Sequence, residues 1–598
     1  MNNDGLSFRH YLRGTVFILL TIALLWVGWW FATGGQDTGL VMNRVSQMLN
    51  FAPERPQLEA VTSNHYLATE AGLVVLEKGG TAADAAFAVA TMLSIVEPWF
   101  SSVLGGGTWA LYYDVDTGRV TSLDGVGVTG SKATPADYAE RAGQAGIHQA
   151  NVPGAWAGWL LWLEEYGRLE LGEIIGPAIQ VAKEGYPATS DMVTWLNNQA
   201  TATLARAEAR RIYAPNGEIV KEGELVYQQE LANTLEELVG VYEAARPKGR
   251  AAAIRAAHDY FYRGPLAEKI VAVSDAQDGY LTLADFANTT ATIREPIKID
   301  YKDGIVVYQN PPNSQGISML LALNILKGFD LSSYAPGSAE SIHLQAEALK
   351  LAFADRHYHV GDPARVSVPV EGLLSEQHAE QQRARVSLNE ALEWPIPDGY
   401  EPLPDDVANT TTFHVVDRFG NGAAVTTSLE AQFLPVADTG IHINHRMRFL
   451  QIEDGPNQVA AGFKVRHTSN PYIALRNNQL YILGGNTGAD SQPQGQVQQF
   501  VGVVEHGLSP QEAVSLPRFM TTAFPGTVYP YPFRNTLQLE TENAELVAAL
   551  EVKGHTVTVG EGVWGAANML VLKEDLSDVL IGHDPRASAS KGEKKLFR

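Results

Sequence analysis

Residues 393–409 read EWPIPDGYEPLPDDVAN, and the chain changes character within one residue of their end. Four prolines and three aspartates make this stretch extended and solvated. Thr411 to Val416 (TTFHVV) is β-branched and aromatic, which predicts a strand. Gly420–Asn421 predicts a turn, and Ala423 to Leu429 (AAVTTSL) a returning strand. A flexible segment therefore runs directly into a hairpin, and the residue at the junction is Thr410. A Thr hydroxyl is a weak nucleophile without an adjacent base. If the Asn409–Thr410 bond is cut, the new α-amine of Thr410, with an ordinary pKa near 8, becomes that base. By itself the pattern is weak, because Thr after a loop is common and an ordinary strand start accounts for it.

The rest of the chain narrows the function classes. The formal net charge is −23, from 67 acidic against 44 Lys and Arg residues, and no long basic run offsets it. Such a surface repels phosphate backbones and argues against nucleic-acid partners. Cysteine is absent, which removes disulfides, thiol nucleophiles and thiolate metal sites. From Gly14 to Gln36 there is no charged residue, and Thr15–Ala32 is almost wholly apolar. Arg9, His10 and Arg13 precede it, while Trp26, Trp29 and Trp30 crowd its far end. This predicts one N-terminal transmembrane helix, or a cleaved signal segment, over residues 1–36. Either way the catalytic part would be extracytoplasmic, periplasmic or extracellular. Residues 37–58 read as a linker.

Further along, Thr81–Ile95 reads as a buried Ala-rich helix, and Trp109–Asp114 with Val120–Leu123 as two strands. Ser338 predicts an N-cap for a helix through Phe353, with Ile342, Ala346, Leu349 and Phe353 on its inner face. Gly105–Gly107 lacks the Lys-Ser/Thr of a phosphate loop. His343 and Glu347 are four apart on that helix, with His357 and His359 following, but no further ligand has metal-site spacing, so no metal is expected. Trp156, Trp159 and Trp162 read as core. Asp490 either orients substrate or caps a turn.

Several blocks, in order, resemble the γ-glutamyltranspeptidase family. They include GGTAADAAFAVATMLSIVEPWFSSVLGGGTWALYYD (79–114), NVPGAWAGW (151–159), PPNSQGISMLLALNILKGFDL (311–331) and SAESIHLQAEALKLAFADRHYHVGDP (338–363). After them come NTTTFHVVDRFGNGAAVTTSLE from Asn409, TGIHINHRM (439–447), TSNPYIAL (468–475), LGGNTGADSQPQ (483–494) and DPRASAS (584–590). The resemblance implies an α+β fold, a four-layer αββα sandwich of the N-terminal-nucleophile hydrolase type. It implies self-cleavage between Asn409 and Thr410 into a large subunit (59–409) and a small catalytic subunit (410–598) that stay associated. The activity implied is cleavage of a small-molecule γ-glutamyl or related acyl amide through a Thr410 acyl-enzyme, with no cofactor.

By the same resemblance Thr410 is the nucleophile, and Ser428 stands where a Thr hydroxyl bonds the nucleophile's amine. Gly488 and Ala489 match the oxyanion-hole pair. The substrate-binding positions depart from the family. Val126 replaces the Arg that grips the α-carboxylate, and Glu430 replaces an Asn. Arg446 replaces a Gln, Arg448 lies near an acidic position, and His467–Thr468 replace a Ser-Ser pair. The departures predict either a glutaryl-type acyl group held by relocated arginines, or a γ-glutamyl substrate held through Glu430 with both arginines as surface charges. The reading outside enzymes is a processed but inactive scaffold.

Overall fold

The computed structural model describes residues 58–141, 144, 146–392, 410–429, 435–531, 533–560 and 564–597. The apolar N-terminal segment, the linker, Asn409 and Glu430 lie outside the described residues. Among the described residues no helix is long and apolar enough to cross a membrane.

Two sheets form the centre. The first contains β1 (Leu58–Ser63), β2 (Gly107–Asp114), β3 (Arg119–Gly125), β4 (Thr292–Arg294), β7 (Thr411–Val416), β8 (Gly422–Ser428) and β13 (Lys591–Leu596), in the order β13-β1-β7-β8-β2-β3-β4. The second contains β5 (Ile297–Asp300), β6 (Ile305–Gln309), β9 (Tyr472–Arg476), β10 (Gln479–Asn486), β11 (Ala567–Leu572) and β12 (Val579–His583), in the order β12-β11-β10-β9-β6-β5.

Alternation along the strands sorts the core into three layers, as a period of two demands. Phe413, Val415, Ala423 and Val425 join one apolar cluster with the helices α1 (Tyr66–Glu77), α2 (Ala82–Val96) and α3 (Ala155–Glu165). Val416, Ala424 and Leu111 face the other way and meet Ile473, Leu475, Leu483 and Leu570 of the second sheet. Tyr472, Ala474, Ile482 and Met569 point outward from that sheet onto α4 (Ile317–Leu326), α5 (Ala339–His359) and α6 (Ser491–Val504). Helix, sheet, sheet and helix therefore stack with a dry layer at each junction, the αββα arrangement expected.

The local expectations are met with small shifts. Helix α2 is buried along its whole length and starts at a capping box between Thr81 and Asp84. Trp156, Trp159 and Trp162 are buried, and Trp159 stacks on Phe87 with ring centroids 5.4 Å apart. The Ser338 side chain caps α5, which runs on to His359 and is buried on every face through Arg356 rather than on one stripe. The β7–β8 turn is held by Asp417, whose carboxylate accepts from the N–H groups of Phe419 and Asn421 at 2.9 Å each.

Both sheets contain strands from before and from after Thr410. β1 lies between β13 and β7, β2 pairs with β8, and β6 pairs with β9. Cutting between residues 393 and 409 thus leaves four antiparallel ladders bridging the two pieces. With a protease site placed in that interval of a Thr410→Ala chain, the cut protein is expected to run as one gel-filtration peak holding both pieces. Two peaks without denaturant would refute the interleaved arrangement.

Candidate active site

The β7–β8 register pairs Thr411 with Thr427, so the next step of the ladder sets Thr410 against Ser428. Thr410 is buried at the start of β7, and its Oγ1 lies 3.0 Å from Ser428 Oγ. Gln492, in the first turn of α6, donates from Nε2 to Thr410 Oγ1 at 3.0 Å. The hydroxyl is therefore held from two sides.

Facing it, β10 ends in a turn through Gly488 and Ala489, both left-handed, with φ of 88° and 43°. The second costs an alanine about 1 kcal/mol, so something must hold it. Three bonds do. Ser491 N–H donates to Gly488 O at 2.8 Å, and Gln492 N–H and Gln315 Nε2 donate to Ala489 O at 3.2 and 2.9 Å. Gln315 also donates to Thr468 O at 3.0 Å, and its Oε1 accepts from Arg356 Nη1 at 2.7 Å. Arg356 in turn pairs with Asp490. Asp490 thus anchors the turn. Successive N–H groups in such a turn form a concavity suited to an oxyanion.

Val126, Arg446, His467 and Thr468, at the family's substrate-binding positions, gather around Gly107 and Gln315. A Cβ placed on Gly107, the partner of Ser428, would lie 3.2 Å from His467 Nε2 and 3.6 Å from Val126 Cγ2. His467 is buried, and burial, with Arg446 and Lys464 nearby, holds its pKa well below the ordinary value, so the ring is neutral. Arg446 is buried too, not a surface charge. It donates from Nη1 to Thr468 Oγ1 at 3.2 Å, and its guanidinium covers Phe449 at 4.9 Å. Arg448 is half-buried and faces Tyr138, and burial lowers its pKa. Its carbonyl accepts from Tyr529 N–H at 3.0 Å. Glu430 lies outside the described residues.

The structure adds groups that motif reading missed. Gln315, Arg356 and Gln492 reach the site from segments far apart in sequence. Glu97, at the C-cap of α2, is hydrogen-bonded to the Thr411 side chain, and burial pushes its pKa up to about 8. Thr411 Oγ1 also accepts from Asn64 Nδ2 at 3.2 Å, and Asn568 Nδ2 donates to Asn64 Oδ1 at 2.7 Å. The helix pair His343 and Glu347 gains a third member, His555, with ligand atoms within 4.8 Å of one another. Those atoms already bond within the protein: His343 Nδ1 to His555 Nε2 and His343 Nε2 to Ser387 O, both at 2.8 Å, and Glu347 to Lys350 at 2.7 Å. The cluster pins the stretch up to Leu392, whose N–H donates to Glu347 Oε2 at 2.6 Å.

Comparison with known proteins agrees with this geometry. The sequence profile described as Gamma-glutamyltranspeptidase matches residues 68–592. The Glutathione hydrolase-like YwrD proenzyme of Bacillus subtilis is 33% identical over 77% of this chain and 85% of its own length. The Acylase ACY 1 proenzyme of Pseudomonas sp. (strain SE83) is 30% identical over 86% of this chain and 90% of its own. The crystal structure of cephalosporin acylase from Bacillus halodurans superimposes with a TM-score of 0.78, at 29% identity, covering 92% of this chain and 97% of that one. The chain belongs to the gamma-glutamyltranspeptidase family. It is an enzyme of that family, fitted to an N-terminal Thr nucleophile.

Removing a hydrogen bond to a buried hydroxyl costs about 1–3 kcal/mol, or tenfold to a hundredfold in rate where the hydroxyl reacts. Gln492→Ala is expected to slow by that factor the appearance of a chain starting at Thr410, followed by intact mass. An unchanged rate would remove Gln492 from the site. Glu97 bears on pH stability. Its folded-state pKa of about 8 exceeds the unfolded value of 4.5, so the unfolded chain ionises first and stability falls as pH rises between those values. The fall in thermal midpoint from pH 5 to 9 should be smaller in Glu97→Gln than in the parent protein.

Proposed function

We propose that this chain is a proenzyme that cuts its own Asn409–Thr410 bond and then hydrolyses an amide whose acyl group ends in a carboxylate. In the first step Thr410 Oγ1 attacks the Asn409 carbonyl. The C–N bond breaks, the nitrogen takes the proton, and water hydrolyses the resulting ester. Thr410 is left with a free hydroxyl and a free α-amine. In turnover that amine accepts the hydroxyl proton as Oγ1 attacks the substrate carbonyl. The N–H groups of Gly488 and Ala489 face the developing oxyanion, a contribution of a few kcal/mol. The amine leaves with the proton, and water, or a second amine, releases the acyl group. Ser428 and Gln492 position the hydroxyl throughout.

The observation that carries the acyl preference is Arg446. It is buried, bonds Thr468, and is linked to Ala489 through Thr468 and the Gln315 side chain. A guanidinium so placed suits a carboxylate. Val126 and the neutral His467 leave the family's original carboxylate grip without charge. A glutaryl-type group, or an internal unit of a γ-linked glutamate polymer, fits this balance. The names of two relatives, one a glutathione hydrolase-like protein and one an acylase, are compatible with the chemistry. The apolar segment at residues 15–32, with basic residues before it, supports an extracytoplasmic location, anchored or released.

Intact mass of protein from residue 35 onward should reveal two chains, the second beginning at Thr410, and a single chain for Thr410→Ala. The cut protein is expected to prefer a glutaryl anilide over a γ-glutamyl anilide, with Arg446→Ala lowering kcat/KM for the first at least tenfold. An unsplit chain overturns the mechanism. A strong γ-glutamyl preference indifferent to Arg446→Ala overturns the acyl assignment.

A further inference from the structure

An amide has two sides, and the groups above account for one. Thr487 and Gly488 also form a wall of a cavity of about 380 Å³ that none of Val126, Arg446, His467 or Thr468 borders. Its other described walls carry Glu97, Trp99, Phe100, Asp191, Trp195 and Trp564. With the acyl chain directed toward Thr468 and Arg446 and the oxyanion toward Gly488, the nitrogen of the scissile bond departs on the side of Gly488 away from them. The cavity borders Gly488 there, and its wall residues Asn64 and Glu97 both bond Thr411.

Its chemistry is specific. One oxygen of Glu97 is engaged by the Thr411 side chain, while Oε2 is buried with no hydrogen-bond partner among the described residues. Asp191, also on the wall, accepts from Ser588 N–H at 2.8 Å. Arg586, which borders the cavity, is consumed by Glu540 and by Asp584, the latter at 3.0 Å. The balance is therefore acidic among aromatic rings, with Phe100 packed edge-on against Trp195 at 5.3 Å. Aromatic faces, the buried Glu97 and the half-buried Asp191 together favour an organic cation. Burial that raises the Glu97 pKa is the penalty an adjacent cation would relieve.

We propose that this cavity receives the amine side of the substrate and selects amines that carry a further cationic group on an aromatic or apolar frame, through Glu97 and Asp191. The inference rests on the Thr410 reading above. Its test separates the two. Benzamidine, an aromatic cation, is titrated calorimetrically into the full-length Thr410→Ala protein, where no turnover intervenes. Saturable binding is expected, weakened at least tenfold by Asp191→Asn and by Glu97→Gln, with Asp191→Glu restoring most of it. In the parent enzyme, glutaryl 4-amidinoanilide should be cleaved with a higher kcat/KM than glutaryl anilide, and the same two substitutions should collapse that ratio toward one.

Turnover of both anilides with no benzamidine binding, or with binding indifferent to Asp191→Asn and Glu97→Gln, overturns the cavity assignment alone. Preference for the neutral anilide does the same. Benzamidine binding with neither anilide cleaved overturns the Thr410 reading and the amine-side assignment with it. Two carboxylate variants guard against one that fails to fold.

Discussion

The candidate site depends on how closely the two sheets approach where β7 begins and β10 ends. A Cβ on Gly485 would fall 2.1 Å from Thr412 Oγ1, so no larger residue fits between the strands. Thr412 Oγ1 donates inward to Val425 O at 3.0 Å, which keeps the crossing compact and polar groups satisfied. That contact sets the distance from Thr410 to everything the second sheet supplies. Gly488, Ala489 and Gln492 all follow within a few residues of Gly485, so the proposed nucleophile and its proposed oxyanion donors are coupled through one glycine contact.

The two sides of the proposed substrate channel are built by opposite strategies. On the acyl side a buried guanidinium is stabilised by a hydroxyl and an aromatic face, next to an imidazole that burial has discharged. On the amine side a buried carboxyl keeps one oxygen bonded to protein and one open. A charge removed from water is costly until a counter-charge arrives. For the Glu97 side that counter-charge would be a ligand cation, and the proposed substrate, an amide that joins a carboxylate to a cation, carries one.

How much of this was legible in the sequence depends on range. The hairpin, its turn and the pairing of Thr410 with Ser428 depend on residues fewer than twenty apart, and local pattern suffices for them. Gly488 and Ala489 were reached through ordered motifs. Gln492 and Gln315 carry no pattern of their own, since an amide side chain on a helix or loop is ordinary until folding aims it. Glu97 closes a helix whose apolar run explains itself without it. His555 lies 212 residues from His343, beyond any spacing rule. Helix α5 misled in a different way. Its apolar stripe is real, yet polar side chains such as His343, Glu347 and Lys350 are buried as well, because they bond to each other and to the backbone near residue 390. Asp490, ambiguous in sequence, is assigned by one distant guanidinium.

The interleaving of strands has a further meaning for the history of each molecule. In a single chain, β7 finds its place between β1 and β8 under covalent constraint, and loop closure limits the search. Once the backbone is severed, the same neighbours must be found by collision between two partly folded pieces, each presenting open strand edges that also pair wrongly. Under the proposed processing the uncut chain is thus a folding template that is consumed as the enzyme is made. A molecule so cut would carry its order forward from that precursor and, if unfolded, would lack the connection that produced it.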